Sequence, residues 1–596
     1  MLWFCFTHFL EKSHIRQERL RSLEEEKMKE TKLDRRSFLK GTAAAAGAVA
    51  ASGAISAMAD EAAPAVLNHD SVDGKWSFEI PPEAIGDDQI AETREAEIIV
   101  VGAGTAGLVC AVAAAEAGGK VILFAKGAGP IGRGGSNFAF HSKYRESLGL
   151  EPIKFRPFYK TQMLTNSLNI DQAKWMLWYK TSEDYMNWLI DIMAEPGNYE
   201  LYLEQVQHLN RCDDPELWEW NPLATHGWID PEIALGVGDG QPFVVSQLAK
   251  KAQSLGVEIY YDTCAKQLVR GGVPNGTEGR VDAVIAQDAN GNYIKFVGTK
   301  AIVLATGDFS RDRDMMKRYA PEWYDVVKNF DVDEDFDPEA GKVYGGLYEG
   351  DGQKMGLWVG AAWQKNFPCP AMVGGGYGGV DTITAMINVQ TGKRFHCEGE
   401  TGGFYSYIYK NHVYGNKIAE IWDSAYAENA QPWPKRKTGY TTPLYEPEEI
   451  IAQWDAKVED GTYVKADTIE EVIEKLGLQP EIIDEINRYN GFCETGVDED
   501  FLKLPEFLIP IKTPPFYGFV GEPSYNILTV MGGLRTNDNM QVCDAADEPI
   551  PGLYNVGTMI GDVYYGCYQF KIPGQNLGMN CGALAKYTGE FIVANE

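Results

Sequence analysis

Glu97-Ile98-Ile99-Val100-Val101-Gly102-Ala103-Gly104-Thr105-Ala106-Gly107 is the stretch that decides the fold. Its first half is a short, continuously apolar run of the kind that forms a buried parallel strand. An Ala-rich helical segment follows from Leu108 to Ala117, Gly118-Gly119 ends it, and a second strand runs from Lys120 to Phe124. Strand, G-x-G-x-x-G, helix and strand in this order make a dinucleotide-binding βαβ unit. Gly102 permits the tight turn, Gly104 lets backbone approach a pyrophosphate, and Gly107 lets helix and strand pack closely. The helix N-terminus adds N–H groups and partial positive charge for the phosphates. One position departs from the pattern. The second strand should end in an acidic residue for the adenosine ribose, but Ala125 stands there, followed by Lys126. That contact is either lost or supplied elsewhere.

Working outward, 596 residues are too many for one hydrophobic core and imply two or three domains. Residues 1–59 are mildly basic, so the net charge of −31 leaves −34 on the rest. Such a surface repels nucleic acid and anionic lipid, and no nucleic-acid partner is expected. None of the ten cysteines forms a C-x-x-C pair, so covalent haem and the usual iron–sulfur spacings have no support, and no metal site is expected. Nor is there a second G-x-G-x-x-G to bind a nicotinamide nucleotide.

Near the N-terminus, Asp34-Arg35-Arg36-Ser37-Phe38-Leu39-Lys40 precedes an Ala/Gly-rich stretch that ends in Ala57-Met58-Ala59. This resembles a twin-arginine (Tat) signal with a small-residue cleavage pattern. It implies passage through the Tat translocase as a folded protein, and a place in the periplasm or at the cell surface, membrane-associated through partners at most. Met28 gives a signal of more usual length than Met1 and is the expected start.

Further segments carry a second resemblance. Gly134-Gly135-Ser136 follows the second strand. Ala301 to Phe309 ends a strand in an A-T-G-x-F turn, Ala305-Thr306-Gly307-Asp308-Phe309. Gly350-Asp351-Gly352-x-x-Met355 opens a helix. Gly552-Leu553-Tyr554-Asn555-Val556-Gly557 precedes Pro573-Gly574-Gln575-Asn576-Leu577-Gly578 and a last helix. Together these resemble the soluble fumarate reductase and 3-ketosteroid Δ1-dehydrogenase superfamily of FAD proteins, from about residue 95 to 596. The resemblance implies an α/β fold, with a Rossmann-like FAD-binding domain and an inserted α+β capping (clamp) domain. The expected divisions are a signal region (1–59), a linker (60–94), the FAD domain (95–365 and 518–596) and the cap (366–517). Non-covalent FAD is the implied cofactor. Its expected contacts are Gly102, Gly104, Thr105, Ala106 and Gly107, then Lys126, Gly134, Gly135 and Ser136. Ala265, Ala305, Thr306, Gly307 and Asp351 continue the set, and Gly557, Asp562, Asn576 and Leu577 complete it.

The substrate motifs of fumarate reductases are largely absent. Phe367 takes the place of a carboxylate-holding His. In Arg394-Phe395-His396-Cys397-Glu398-Gly399-Glu400-Thr401-Gly402 the first Arg and the Glu remain, but Gly402 replaces the proton-donating Arg. Leu528 and Thr529 replace two histidines, and Ile572 replaces the clamping Arg. A dicarboxylate buried without cationic partners would cost several kcal/mol. The expected substrate is therefore a neutral, bulky unsaturated compound, enone-like and of steroid or polyphenol size. Tyrosines serve as acids in the steroid branch of the superfamily, so Tyr568, Tyr565 and Tyr407, with the retained Arg394, are the candidate catalytic residues. An ene-reductase fed by a cytochrome or quinol-linked donor is the leading expectation. A Δ1-dehydrogenase-like oxidation and a flavin electron carrier are the alternatives.

Overall fold

A computed structural model describes residues 74–197, 199–203, 223–229, 240–327, 348–375, 384–398, 405–429, 447–566, 568 and 574–596. The signal region, Met28, Gly402 and Ile572 lie outside these. The chain divides into two compact units, Met1–Ser77 and Phe78–Glu596.

The opening motif folds as its residues dictate. Strand β1 (Ile90–Val101) runs through the Gly102 turn into helix α1 (Thr105–Glu116) and returns as β2 (Val121–Phe124). Beside β2 lies β3 (Glu258–Tyr260), reached through helix α2 (Gly240–Ser254); on the other side of β1 lies the long strand β4 (Tyr293–Leu304). All these neighbours are parallel, with Val100 opposite Leu123 and Val303. Strand β4 has two uses. Its first half, Tyr293–Val297, forms an antiparallel hairpin with Val281–Gln287. Its last residues, Ile302–Leu304, take β5 (Pro549–Asn555) as a parallel partner from the far end of the sequence. The whole sheet has nine strands among the described residues.

Both faces of this sheet are covered, which explains why Ile98–Val101 are apolar without alternation. Ile98 and Val100 join a core with Leu108 and Val112 of α1 and with Leu584 and Ile592 of the last helix. Ile99 and Val101 join a second core with Met355, Leu534 and Leu553. The last helix, Leu584–Asn595, comes so close to α1 that a side chain at Gly589 would strike the Cys110 carbonyl.

One expected boundary is corrected. The expected linker runs to residue 94, but β1 begins at Ile90, which pairs with Tyr293. Phe78 and Ile85 are buried ahead of it. Their backbone is satisfied by a helix and a strand: Trp358 Nε1 donates to Phe78 O, and Ile85 N–H donates to Gln267 Oε1. Apolar side chains with paired backbone make residues 78–94 part of the folded unit.

A second, antiparallel sheet has the strand order Lys393–Arg394, Met386–Asn388, Ile418–Asp423, Phe516–Gly521 and Val464–Ala466. Helices Ile469–Lys475 and Ile482–Thr495 supply Val472 and Ile486 to a core with Ile387, Ile421 and Phe516. A two-stranded ladder, Cys369–Gly375 against Ser524–Met531, connects the segments before and after this sheet.

Candidate active site

The carboxyl ends of β1, β2 and β4 converge on one cleft, the place where open α/β sheets hold ligands. Gly102, Ala103, Gly104, Thr105 and Ala106 form its floor. Ala125, Lys126 and Ala265 stand on one side and Ala305, Thr306 and Gly307 on another; Gly557, Asn576 and Leu577 close it. Gly102 has φ +119°, and a side chain there would overlap the Ala305 carbonyl. At Gly107 a side chain would overlap Gly102 O, so this glycine serves helix packing, and it does not line the cleft. Gly104 is different. A Cβ there would meet only Ile131 O, at 3.8 Å, so the space beside it is left to a ligand. The N-terminus of α1 is also without a side-chain cap, and Thr105 and Ala106 from that end line the cleft. Among the described residues, the Oδ1 acceptor of Asn576 is buried without a partner. Uncapped helix, open space at Gly104 and an orphaned acceptor fit a dinucleotide carrying a polar ring.

Of the other expected FAD contacts, Gly134 and Asp351 line the cleft. Gly135 does not, and the Ser136 side chain lies outside the described residues. Asp562 is corrected: its carboxylate accepts the N–H groups of Lys365 (3.0 Å) and Asn366 (2.9 Å), and it does not line the cleft. Its φ is +63°, and both of its carboxylate oxygens are engaged by backbone N–H groups.

Four candidate catalytic residues separate sharply. Tyr568 lines the cleft and is buried. Its hydroxyl accepts the Asn576 N–H at 3.0 Å, and burial holds the phenol protonated by raising its pKa. Tyr565 is half-buried and outside the cleft; its N–H donates to Asn166 Oδ1 at 2.8 Å. Tyr407 donates its hydroxyl proton to Pro370 O (2.6 Å), with Gly566 O at 3.3 Å, and its ring meets Trp323 edge-on. That proton is committed to carbonyls, so Tyr407 fits a strut and not an acid. Arg394 is likewise corrected. Its Nε and Nη2 donate to Glu398 (2.9 and 2.6 Å), and its Nη1 and Nη2 to Asp498 (3.1 and 2.9 Å). Tyr489 and Phe501 cover the guanidinium at 5.1 and 5.3 Å. Burial alone would raise the Glu398 pKa, but Lys503 and Arg394 outweigh it and hold the carboxyl below its ordinary value. Two carboxylates and two rings leave Arg394 nothing for a substrate.

Leu528 and Thr529 line the same cleft as Tyr568. Thr529 donates its hydroxyl to the buried Asp308 carboxylate at 2.5 Å, and Val530 N–H donates to the same oxygen at 2.9 Å. Phe367, expected near the substrate, is 63% exposed. Sequence reasoning missed Arg133 and Glu349. Arg133 lines the cleft, donates to Leu528 O at 3.1 Å and lies over the Tyr348 ring at 5.1 Å. Glu349 lines it too, bonded to Lys126 at 2.8 Å. The signals were adjacency: Arg133 abuts Gly134-Gly135, and Glu349 abuts Gly350-Asp351-Gly352.

Comparison with known proteins agrees with this geometry. A family described as "FAD binding domain" matches residues 97–571, and a twin-arginine translocation pathway signal sequence matches residues 32–52. A vinyl phenol reductase of Lactiplantibacillus plantarum is 27% identical over 526 residues, which cover 84% of this chain and 96% of that protein. A probable fumarate reductase of Shewanella frigidimarina is 24% identical, covering 78% of this chain and 70% of that one. Among solved structures, a 3-ketosteroid-Δ4-(5α)-dehydrogenase from Rhodococcus jostii superposes with a TM-score of 0.62 at 21% identity, covering 86% of this chain and all of that one.

Proposed function

The chain belongs to the FAD binding domain family, and on that premise we propose that this exported FAD-dependent oxidoreductase is an ene-reductase for neutral, bulky conjugated alkenes such as vinyl phenols. Bound FAD, held without a covalent link, supplies in its reduced form the hydride that adds to one carbon of the activated C=C. The chain supplies the proton and the surface that orients the substrate.

The observation that carries the reading is the lining of the cleft: Tyr568, Leu528 and Thr529 all belong to it, and Leu528 and Thr529 stand where the fumarate reductases carry histidines. Tyr568 is buried and protonated, so it has a proton to give to the second alkene carbon. The bond from Asn576 N–H is accepted by the phenol oxygen, so it stabilises the tyrosinate that remains after transfer. Leu528 offers apolar contact to a ring. Asp308 takes up the Thr529 hydroxyl, and the charge on Arg394 is spent on Glu398 and Asp498. Among the described residues, the cations that line the cleft are already engaged, Arg133 by Leu528 O and the Tyr348 ring and Lys126 by Glu349, so a substrate dianion entering here would lose its hydration without gaining a free cationic partner. Electrons reach the flavin from a cytochrome or quinol-linked partner, and the acidic surface suits docking to a basic one.

The test is a screen of unsaturated compounds with a reduced viologen dye as donor, without oxygen. Turnover of vinyl phenol or another neutral conjugated alkene, with fumarate inert, is the expected outcome. Turnover of fumarate alone would defeat the pocket argument. Inertness toward the whole panel would favour an electron carrier.

A further inference from the structure

The ribose acid missing from the end of β2 has a counterpart elsewhere in the cleft. Ala125 follows β2 directly, is buried and lines the cleft, so the missing carboxylate leaves a gap at the strand end where an acidic residue ordinarily meets the adenosine ribose. Lys126, the next residue, turns its ammonium to Glu349 Oε2 at 2.8 Å and stands 3.8 Å from Asp351 Oδ2. Glu349 thus sits at the same corner although it is 224 positions away in sequence. It also lines the cleft, and its side chain is 39% exposed, which leaves it open to a ligand. Lys126 is bonded to one of its two oxygens, Oε2. Asp351 is the weaker choice, being one methylene shorter, farther from Lys126 and the first residue of helix Asp351–Trp358.

We infer that Glu349, steadied by Lys126, takes over the adenosine-ribose contact that Ala125 has vacated. The two ribose hydroxyls are donors, and an ionised carboxylate is their strongest acceptor. Burial would raise the Glu349 pKa, but Lys126 outweighs it and keeps the group ionised at neutral pH. Lys126 therefore acts as a positioning residue: it orients one oxygen and leaves the other for the nucleotide. The inference depends on FAD binding and not on the substrate reading, so the two stand or fall separately.

The experiment measures release of flavin from purified holoenzyme on dilution, read by the recovery of flavin fluorescence. Each protein is loaded either with FAD or, by exchange, with an FAD analogue whose adenosine ribose lacks both hydroxyls. Wild type is expected to hold FAD about 10- to 100-fold more tightly than the analogue, the range of a charge-assisted hydrogen bond. In Glu349→Gln that preference should fall to within about threefold, because FAD weakens while the analogue does not. Ala125→Glu placed on the Glu349→Gln background should restore the preference, since residue 125 faces the same cleft. A Glu349→Gln variant that keeps the full wild-type preference would overturn the inference. So would equal weakening of FAD and the analogue, which would mean that Glu349 acts on the fold or on the phosphates.

Discussion

The cradle at Gly102–Gly107 and the node around Arg394 treat polar groups in opposite ways. Among the described residues, the cradle leaves its groups unfinished: an uncapped helix end, open space at Gly104 and an unpaired Asn576 oxygen. The node completes everything. Arg394 is bonded to Glu398 and Asp498, Lys503 lies 3.4 Å from Glu398, and aromatic rings seal the guanidinium. An unfinished polar site is organised for a ligand, whereas a finished one is organised for its own fold. The difference teaches that a retained motif residue does not imply a retained role. Arg394 and Glu398 keep the family's spacing, but here they form a closed structural unit.

The largest expected effect comes from opening the node. Arg394→Met takes their shared arginine from two buried carboxylates, leaving only Lys503 beside Glu398, and should cost about 3–5 kcal/mol of stability, measured by denaturant unfolding. FAD content per folded molecule should stay at the wild-type level. The pH dependence follows from the same charges. Glu398 and Asp498 are both held below their ordinary pKa when folded: burial opposes this, and the cations outweigh it. Their contribution is therefore fully present above about pH 4–5 and is lost as pH falls through the depressed folded values. In Arg394→Met the gap from wild type should narrow on acidification below about pH 4, as the orphaned carboxyls neutralise.

The next effect fills the cradle. Gly104→Val puts two methyl groups where only Ile131 O stands within reach, and should weaken FAD retention by about 100-fold while the unfolding midpoint of the FAD-free protein hardly moves. Flavin absorbance per protein after gel filtration measures it. A variant that purifies fully yellow would show that the open space is not the cofactor's.

The smallest effect tests the strut. Tyr407→Phe removes the bond to Pro370 O and should cost about 1 kcal/mol of stability, with kcat changed less than twofold. A large loss of kcat with stability intact would return Tyr407 to the chemistry.

The cradle was legible in the sequence because backbone geometry admits few residues. A positive φ at Gly102 and a close approach at Gly107 demand glycine, and the run Ile98–Val101 announces a strand covered on both faces. The node was not legible, since the partner Asp498 lies 104 residues from Arg394 and spacing says nothing of such contacts. The same holds for Lys126 and Glu349, which only the fold brings together. Among the tyrosines, composition marked the residue type but could not separate Tyr568 in the cleft from Tyr407 on a carbonyl. Side-chain bonds between distant segments, unlike turns, leave no local trace in the chain.

The central claim is that the proton comes from the cleft and not from the node. The most direct measurement mixes reduced, FAD-loaded enzyme with vinyl phenol in a stopped-flow instrument and follows reoxidation of the flavin in wild type, Tyr568→Phe and Arg394→Met. The Arg394 variant is kept at a temperature where it is folded. The account predicts that Tyr568→Phe slows the single turnover by about 100- to 1,000-fold with its FAD content intact, while Arg394→Met keeps a rate within about threefold of wild type. A Tyr568→Phe enzyme that turns over at the wild-type rate, with the loss appearing in Arg394→Met instead, would contradict it.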